Sequence, residues 1–222
     1  MNIDKIISEI EFEKAINPKN IGDKFLNLQQ KQSLKIEIQN LINDINNKII
    51  PTSYSDDLLL SFTLRHFVIS NFNYSLISKE FLNELSIFLK DKKCLEIMGG
   101  TGVLSKGLKD FGVDITCTDN YSWSNFNFNN LWTKVINIDA LDAIKTYDFD
   151  ILIISWPYTD NNAFECLKLA REKDKPILFI GDTLHTANKD FFESINIINP
   201  LEDLNKYLKS WVETNDNILF IK

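Results

Sequence analysis

Basic side chains are scarce in this 222-residue chain: 24 lysines and arginines stand against 31 aspartates and glutamates, for a formal net charge of -7. That balance argues against a surface built mainly to grip phosphate backbones and weakens a nucleic-acid partner, although a local basic patch is compatible with it. Arginine occurs only at Arg65 and Arg171, beside abundant Asn, Ile and Lys, which is a coding bias and not a low-complexity function. Cysteine is limited to Cys94, Cys117 and Cys166, whose spacing suits no metal and which read as small buried hydrophobes. There is no HExxH, cysteine pair or acidic cluster to suggest a metal site. No Gly-Lys-Ser or Gly-Lys-Thr follows the glycines, so a P-loop is absent. No stretch of about 18 apolar residues occurs, which removes a transmembrane reading. The start, Met-Asn-Ile-Asp-Lys, lacks the charged-then-apolar pattern of a secretory leader, so the expectation is a cytoplasmic protein.

What is present reads as globular. A hydrophobic fraction of 44% and a charged fraction of 25% are ordinary, and the length allows a helical region joined to a compact α/β unit. Residues 1–90 read as a helical N-terminal region. Phe25, Leu28, Leu34, Ile38, Leu41 and Ile45 recur at helical intervals over one or two helices. A further helix is expected from Asp56 or Asp57 through the apolar LLLSFTLRHFVIS, with His66 as a structural residue inside it. Ser78 is a candidate cap for a helix that turns Phe81, Leu85, Phe88 and Leu89 to one side. This region is expected to pack beside the carboxyl edge of the following sheet and to shape the substrate pocket.

Residues 91–222 change period. Cys94 to Met98 is a short apolar run ended by glycines, LSKGLKDFG is helical, and VDITCT is a second apolar run ending at Asp119. Strand, glycine-rich turn, helix and strand form the βαβ unit of a parallel sheet. KVINI, FDILIIS, KPILFIG, INII and NILFIK continue the alternation. Helices are expected between them, one capped by Asn162 with Glu165 in its first turn, one over TANKDFFES, and one starting at Asn199 and Pro200 with Leu201, Leu204 and Leu208 inward. The expected fold is α/β: a seven-stranded, mostly parallel sheet flanked by helices, with room for an antiparallel hairpin at one edge.

The chemistry-bearing residues fall at strand ends. Glycines after the first strand, in Glu96-Ile97-Met98-Gly99-Gly100-Thr101-Gly102, let the backbone turn tightly and approach a ligand, and the next helix points unpaired N–H groups at it. Asp119, with Asn120 after it, ends the second strand, where an acid can accept both hydroxyls of an adenosine ribose. An acid there can also simply cap a turn.

These residues resemble the S-adenosylmethionine-dependent methyltransferases with a Rossmann-like sheet, over residues 94 to about 182. The resemblance implies that Glu96, Gly99, Gly100, Thr101 and Gly102 surround the methionine part of S-adenosyl-L-methionine, with Met98 standing where the family pattern has its first glycine. It further implies that Asp119 and Asn120 bind the ribose, and that Asp139 and Ala140 meet the adenine, although Asp139 equally suits a helix N-cap. The fourth strand ends Ser155-Trp156-Pro157-Tyr158, similar to the Asn/Asp/Ser-Pro-Pro-Tyr/Phe turn of amino-directed methyltransferases, with Trp156 as the departure. There the first side chain and a backbone carbonyl hold an amino group under the aromatic ring, and placement supplies much of the rate. Trp156 and Tyr158 also suit a rim or core role.

Asp160, Asp182 and His185 lie near the same edge as candidate hydrogen-bonding or proton-accepting groups. Trp123, with the Phe126 and Phe128 that follow, could cover the adenine or pack a helix. The implied activity is methyl transfer to a small molecule or protein, at a nitrogen. Two rivals are a partner-binding protein on a degenerate methyltransferase fold and an NAD-dependent oxidoreductase, whose Gly-x-Gly-x-x-Gly pattern the loop fits poorly.

Overall fold

A computed structural model describes residues 1–16, 26–123, 129–199 and 201–222. Phe25, Phe126, Phe128 and Pro200 lie outside the described residues.

Among the described residues four α-helices open the chain: α1 (Ile3–Ile16), α2 (Leu28–Asn46), α3 (Phe62–Asn71) and α4 (Lys79–Phe88). α2 is one helix, started by a reciprocal cap: Asn27 Oδ1 accepts the Gln30 N–H at 2.9 Å, and Gln30 Oε1 accepts the Asn27 N–H at 2.8 Å. Leu34, Ile38, Leu41 and Ile45 are buried as their spacing implies, but Leu28, at the helix's first position, is 88% exposed. The helix expected from Asp56 or Asp57 is broken. A 3-10 turn at Leu58–Leu60 leads into Ser61, whose hydroxyl accepts the Leu64 N–H at 3.1 Å and starts α3. A hydroxyl carried on Cβ, close to the backbone, competes with helix continuation, which overrides the apolar run around it. His66 is exposed on α3, which corrects its reading as structural. Ser78 caps α4 through the Phe81 N–H, as its position suggested.

The remaining elements alternate: β1 (Lys93–Ile97), α5 (Val103–Asp110), β2 (Asp114–Asp119), β3 (Ile136–Asn137), α6 (Ala140–Thr146), β4 (Ile151–Ser155), α7 (Asn162–Glu172), β5 (Ile177–Asp182), α8 (Lys189–Ser194), β6 (Ile197–Asn199), α9 (Glu202–Asn205) and β7 (Asp216–Ile221). The sheet order is β3-β2-β1-β4-β5-β7-β6, parallel except that β7 runs antiparallel to both its neighbours. It is a mixed α/β sheet flanked by helices, with the most apolar strand, β4, buried at every position.

Side-chain alternation divides the core. Cys94, Ile151, Ile153, Leu178 and Ile180 face one way and share a continuous cluster with α1 to α4 and α5. Leu95, Ile97, Leu152, Ile154 and Phe179 face the other way, against α6, α7 and α8. Two helix starts differ from expectation. α7 begins at Asn162 itself, whose N–H is accepted by Asp160 Oδ1 at 2.9 Å. α9 has only four residues, and Asn205 at its end accepts the Ile218 N–H of β7 at 2.7 Å. Leu201, Leu204 and Leu208 are nonetheless buried. No helix among the described residues is long and apolar enough to cross a membrane.

Candidate functional site

The parallel strands β1, β2, β4 and β5 end at one edge, where ligands of open α/β sheets gather. After β1 the backbone turns through left-handed residues at Met98 (φ 54°), Gly100 (φ 57°) and Gly102 (φ 79°). Met98 therefore adopts the conformation that glycine would adopt there with less strain. At Gly99 and Gly102 the protein itself enforces glycine. An added Cβ would lie 2.5 Å from Cys117 Sγ at the first and 2.8 Å from Val135 Cγ2 at the second. The Gly102→Ala variant, strained in both φ and packing, is expected to lose about 2–4 kcal/mol of stability. Urea unfolding checks this, and an unchanged midpoint would contradict the packing.

The turn is pinned from beneath by Asp119. Its Oδ2 accepts the Gly100 N–H at 2.9 Å and its Oδ1 the Tyr121 N–H at 2.6 Å. Burial pushes the Asp119 carboxyl above the usual range, against the pull of those two donors. Glu96 is 1% exposed and accepts the Ser105 hydroxyl and backbone N–H. Burial raises it to about 7, in opposition to these donors. One backbone N–H at the start of α5, that of Ser105, is therefore answered by Glu96. Above the turn, Thr101 donates its hydroxyl to the Phe72 carbonyl at 2.6 Å. Trp132 donates its backbone N–H to the Thr101 carbonyl at 2.9 Å and packs edge-on against Phe72, with centroids 5.0 Å apart. Residues Gly100 to Ser105 are buried beneath this cover.

The turn after β4 is organised by residues far away in sequence. Ser155 is buried, its hydroxyl 3.2 Å from that of Ser75. The Pro157 carbonyl accepts the Ala187 N–H at 3.2 Å. Trp156 is left-handed (φ 49°), and its indole N–H donates to Asp216 Oδ2 at 3.0 Å. Asp216 lies opposite Asp182 in the β5–β7 register. Burial pushes Asp216 up to about 7, against the Trp156 hydrogen bond and with further upward pressure from Asp182. For Asp182 burial also acts upward, but the N–H groups of Leu184 and Asn215 and the His185 ring hold it below the usual range.

A cavity of about 580 Å³ opens here and brings together Asp119, Asn120, Trp156, Pro157, Tyr158 and Asp160 of the sequence-derived set. Met98, Ser122, Trp123 and His185 also line it. Glu96, Gly99, Gly100, Thr101, Gly102, Asp139, Ala140 and Ser155 do not. Asp139 caps α6, accepting the Leu141 N–H at 3.0 Å, and Ala140 packs under the sheet. Tyr74 is a wall residue that sequence reasoning missed, since nothing local marks a residue 82 positions before Trp156 as its neighbour. Asp216 was missed too, although an acid opening the final strand opposite Asp182 was a usable signal.

No protein-family model matches the chain, and no curated protein does. Solved structures align weakly. The Pyrococcus abyssi tRNA (uracil-54, C5)-methyltransferase in complex with S-adenosyl-L-homocysteine is 14% identical with a TM-score of 0.42, over 64% of this chain and 37% of that one. The ribosomal protein L11 methylase from Lactobacillus delbrueckii subsp. bulgaricus is 16% identical with a TM-score of 0.41, over 64% and 76%. MtNAS in complex with MTA and tNA is 13% identical with a TM-score of 0.45, over 100% and 89%.

Proposed function

We propose that the chain is an S-adenosylmethionine-dependent methyltransferase acting on a small molecule or a protein side chain at a nitrogen. The observation that carries this reading is the shared cavity: the Asp119-Asn120 pair after β2 and the Trp156–Asp160 stretch after β4 form walls of one space at the carboxyl edge. Its volume of about 580 Å³ falls within the range of about 300–1,000 Å³ usual for small-molecule sites. Each Asp119 oxygen accepts one backbone N–H and retains acceptor capacity for a ribose hydroxyl. The ribose end of the cofactor thus fits the residues present. When bound, S-adenosylmethionine supplies an electrophilic methyl group on a sulfonium.

The chain's own residues would do the rest. Trp156 and Tyr158 would hold the acceptor and exclude water, so that orientation supplies most of the rate. Asp160 would accept a hydrogen bond from the amino group and receive its proton. Its oxygens already bond the Asn162 backbone at 2.9 Å and side chain at 2.8 Å, which fixes the carboxylate's direction.

One observation favours a second reading, a partner-binding protein on a degenerate fold. Glu96 is locked onto Ser105, and the glycine turn is covered by Phe72 and Trp132. Calorimetric titration with S-adenosylmethionine and S-adenosylhomocysteine, with NAD and ATP as comparators, separates the readings. Micromolar binding of the first two is expected, weakened about 10- to 100-fold in Asp119→Ala through loss of a charge-assisted acceptor. No binding by the folded protein would favour the second reading, and a preference for NAD would overturn both.

A further inference from the structure

We infer that the cavity selects an organic cation, a ligand presenting an ammonium group to a connected arc of aromatic rings. Three separate chain segments build the arc. Tyr74 comes from between α3 and α4, Trp123 follows β2, and Trp156 and Tyr158 follow β4. Trp156 and Tyr74 stack with centroids 5.3 Å apart and planes 18° apart. Tyr74 meets Trp123 at 6.1 Å, and Trp123 meets Tyr158 at 4.9 Å. All four rings line the same cavity.

A core cluster of aromatics would be sealed, but these rings line an open cavity, and Tyr158 is 57% exposed. The negative faces of Trp and Tyr attract a cation, and most strongly an alkylated ammonium that gives up little hydration. The indole plane is fixed by its hydrogen bond to Asp216, so the face is held ready before any ligand arrives.

Charge on the walls points the same way. Asp119 and Asp160 line the cavity with His185, and no lysine or arginine is among the described residues lining it. A ligand of net negative charge would meet carboxylates with no lysine or arginine among the described lining residues to pair with, whereas an ammonium has both rings and acids to receive it. Calling this ligand the methyl acceptor rests on the methyltransferase reading and applies only to an ammonium with a proton to give up to Asp160, because a quaternary nitrogen has no lone pair for a methyl group; the binding of the cation does not rest on that reading.

The test compares choline with 3,3-dimethylbutan-1-ol, which has the same shape without the charge. Binding is followed by tryptophan fluorescence and calorimetry, with and without saturating S-adenosylhomocysteine, which lacks the sulfonium charge of S-adenosylmethionine. Choline is expected to bind at least about tenfold more tightly than the neutral alcohol. That preference should fall toward unity in Trp156→Leu. Tyr158→Leu, at an exposed position, should lose part of it. Equal affinity for the two probes, or no binding of either to the folded protein, would overturn the inference. A choline preference in a protein that ignores S-adenosylhomocysteine would leave the inference standing and remove the methyltransferase reading. Homocysteine-nucleoside binding without a choline preference would do the reverse.

Discussion

At pH 8 the Glu96→Gln variant is expected to melt on the order of 5–10 °C above the parent, because it removes a buried charge worth about 3 kcal/mol of destabilisation. Glu96 titrates near 7 in the folded protein against an ordinary 4.5. Below pH 4.5 the folded and unfolded chains both hold the proton, and the residue contributes no pH dependence. Between pH 4.5 and 7 the unfolded chain releases it while the folded chain keeps it, so stability falls as pH rises. Above 7 the full penalty applies. Asp216, raised to about 7 from 3.8, acts with the same sign. Glutamine keeps an acceptor for the Ser105 hydroxyl, so the substitution removes charge and preserves shape. Thermal melts at pH 5 and pH 8 should show a gap that is small at the lower value and several-fold wider at the higher. An equal gap at both would mean that Glu96 is not held protonated by burial.

Phe72→Ala is expected to cost about 3–5 kcal/mol, the range for emptying a fully buried aromatic site. Phe72 has no exposed surface, and its ring closes the cover over the glycine turn through Trp132. The loss should appear as a lower urea midpoint together with a red shift of tryptophan emission as Trp132 meets water. A cost under about 1 kcal/mol would show that the segment does not seal the turn. The same variant examines the cover directly. Tighter S-adenosylhomocysteine binding per folded molecule would mark Phe72 and Trp132 as an obstacle to the cofactor.

The α/β alternation was legible because each signal is local: short apolar runs, a glycine turn, and helical faces such as Leu104 and Leu108. Ser78 could be read as a cap for the same reason. Ser61 could not, since its break lies inside a largely apolar stretch and shows only when Glu9 on α1 accepts the Ser61 hydroxyl from one side while Leu64 donates from the other. Asp139 carried two readings, ligand and cap, and in the fold its carboxylate caps α6. Glu96 was legible as an important acid, but its partner Ser105 becomes decisive only after α5 folds back over β1. The departure at Trp156 acquires its physical account from Asp216, 60 residues on, which anchors the indole. Local pattern reveals where a strand ends, whereas long-range packing decides which side chains are spent on the protein and which face the cavity.

The three thiols amount to a set of built-in clocks for native-state opening. Cys94 lies in the cluster shared with the N-terminal helices, Cys166 lies in the cluster on the opposite sheet face, and Cys117 sits against Gly99. Burial pushes Cys94 and Cys166 up to about 12, and Cys117 well above its usual value, so the reactive thiolate is suppressed as well as shielded. An alkylating reagent can therefore modify each site only during excursions that expose it, and the labelling rate at each site reads the free energy of that excursion. Identical rates at Cys94 and Cys166 would describe two layers that come apart as one cooperative unit. Faster labelling at Cys94 would describe a helical layer that lifts from a sheet still intact beneath it.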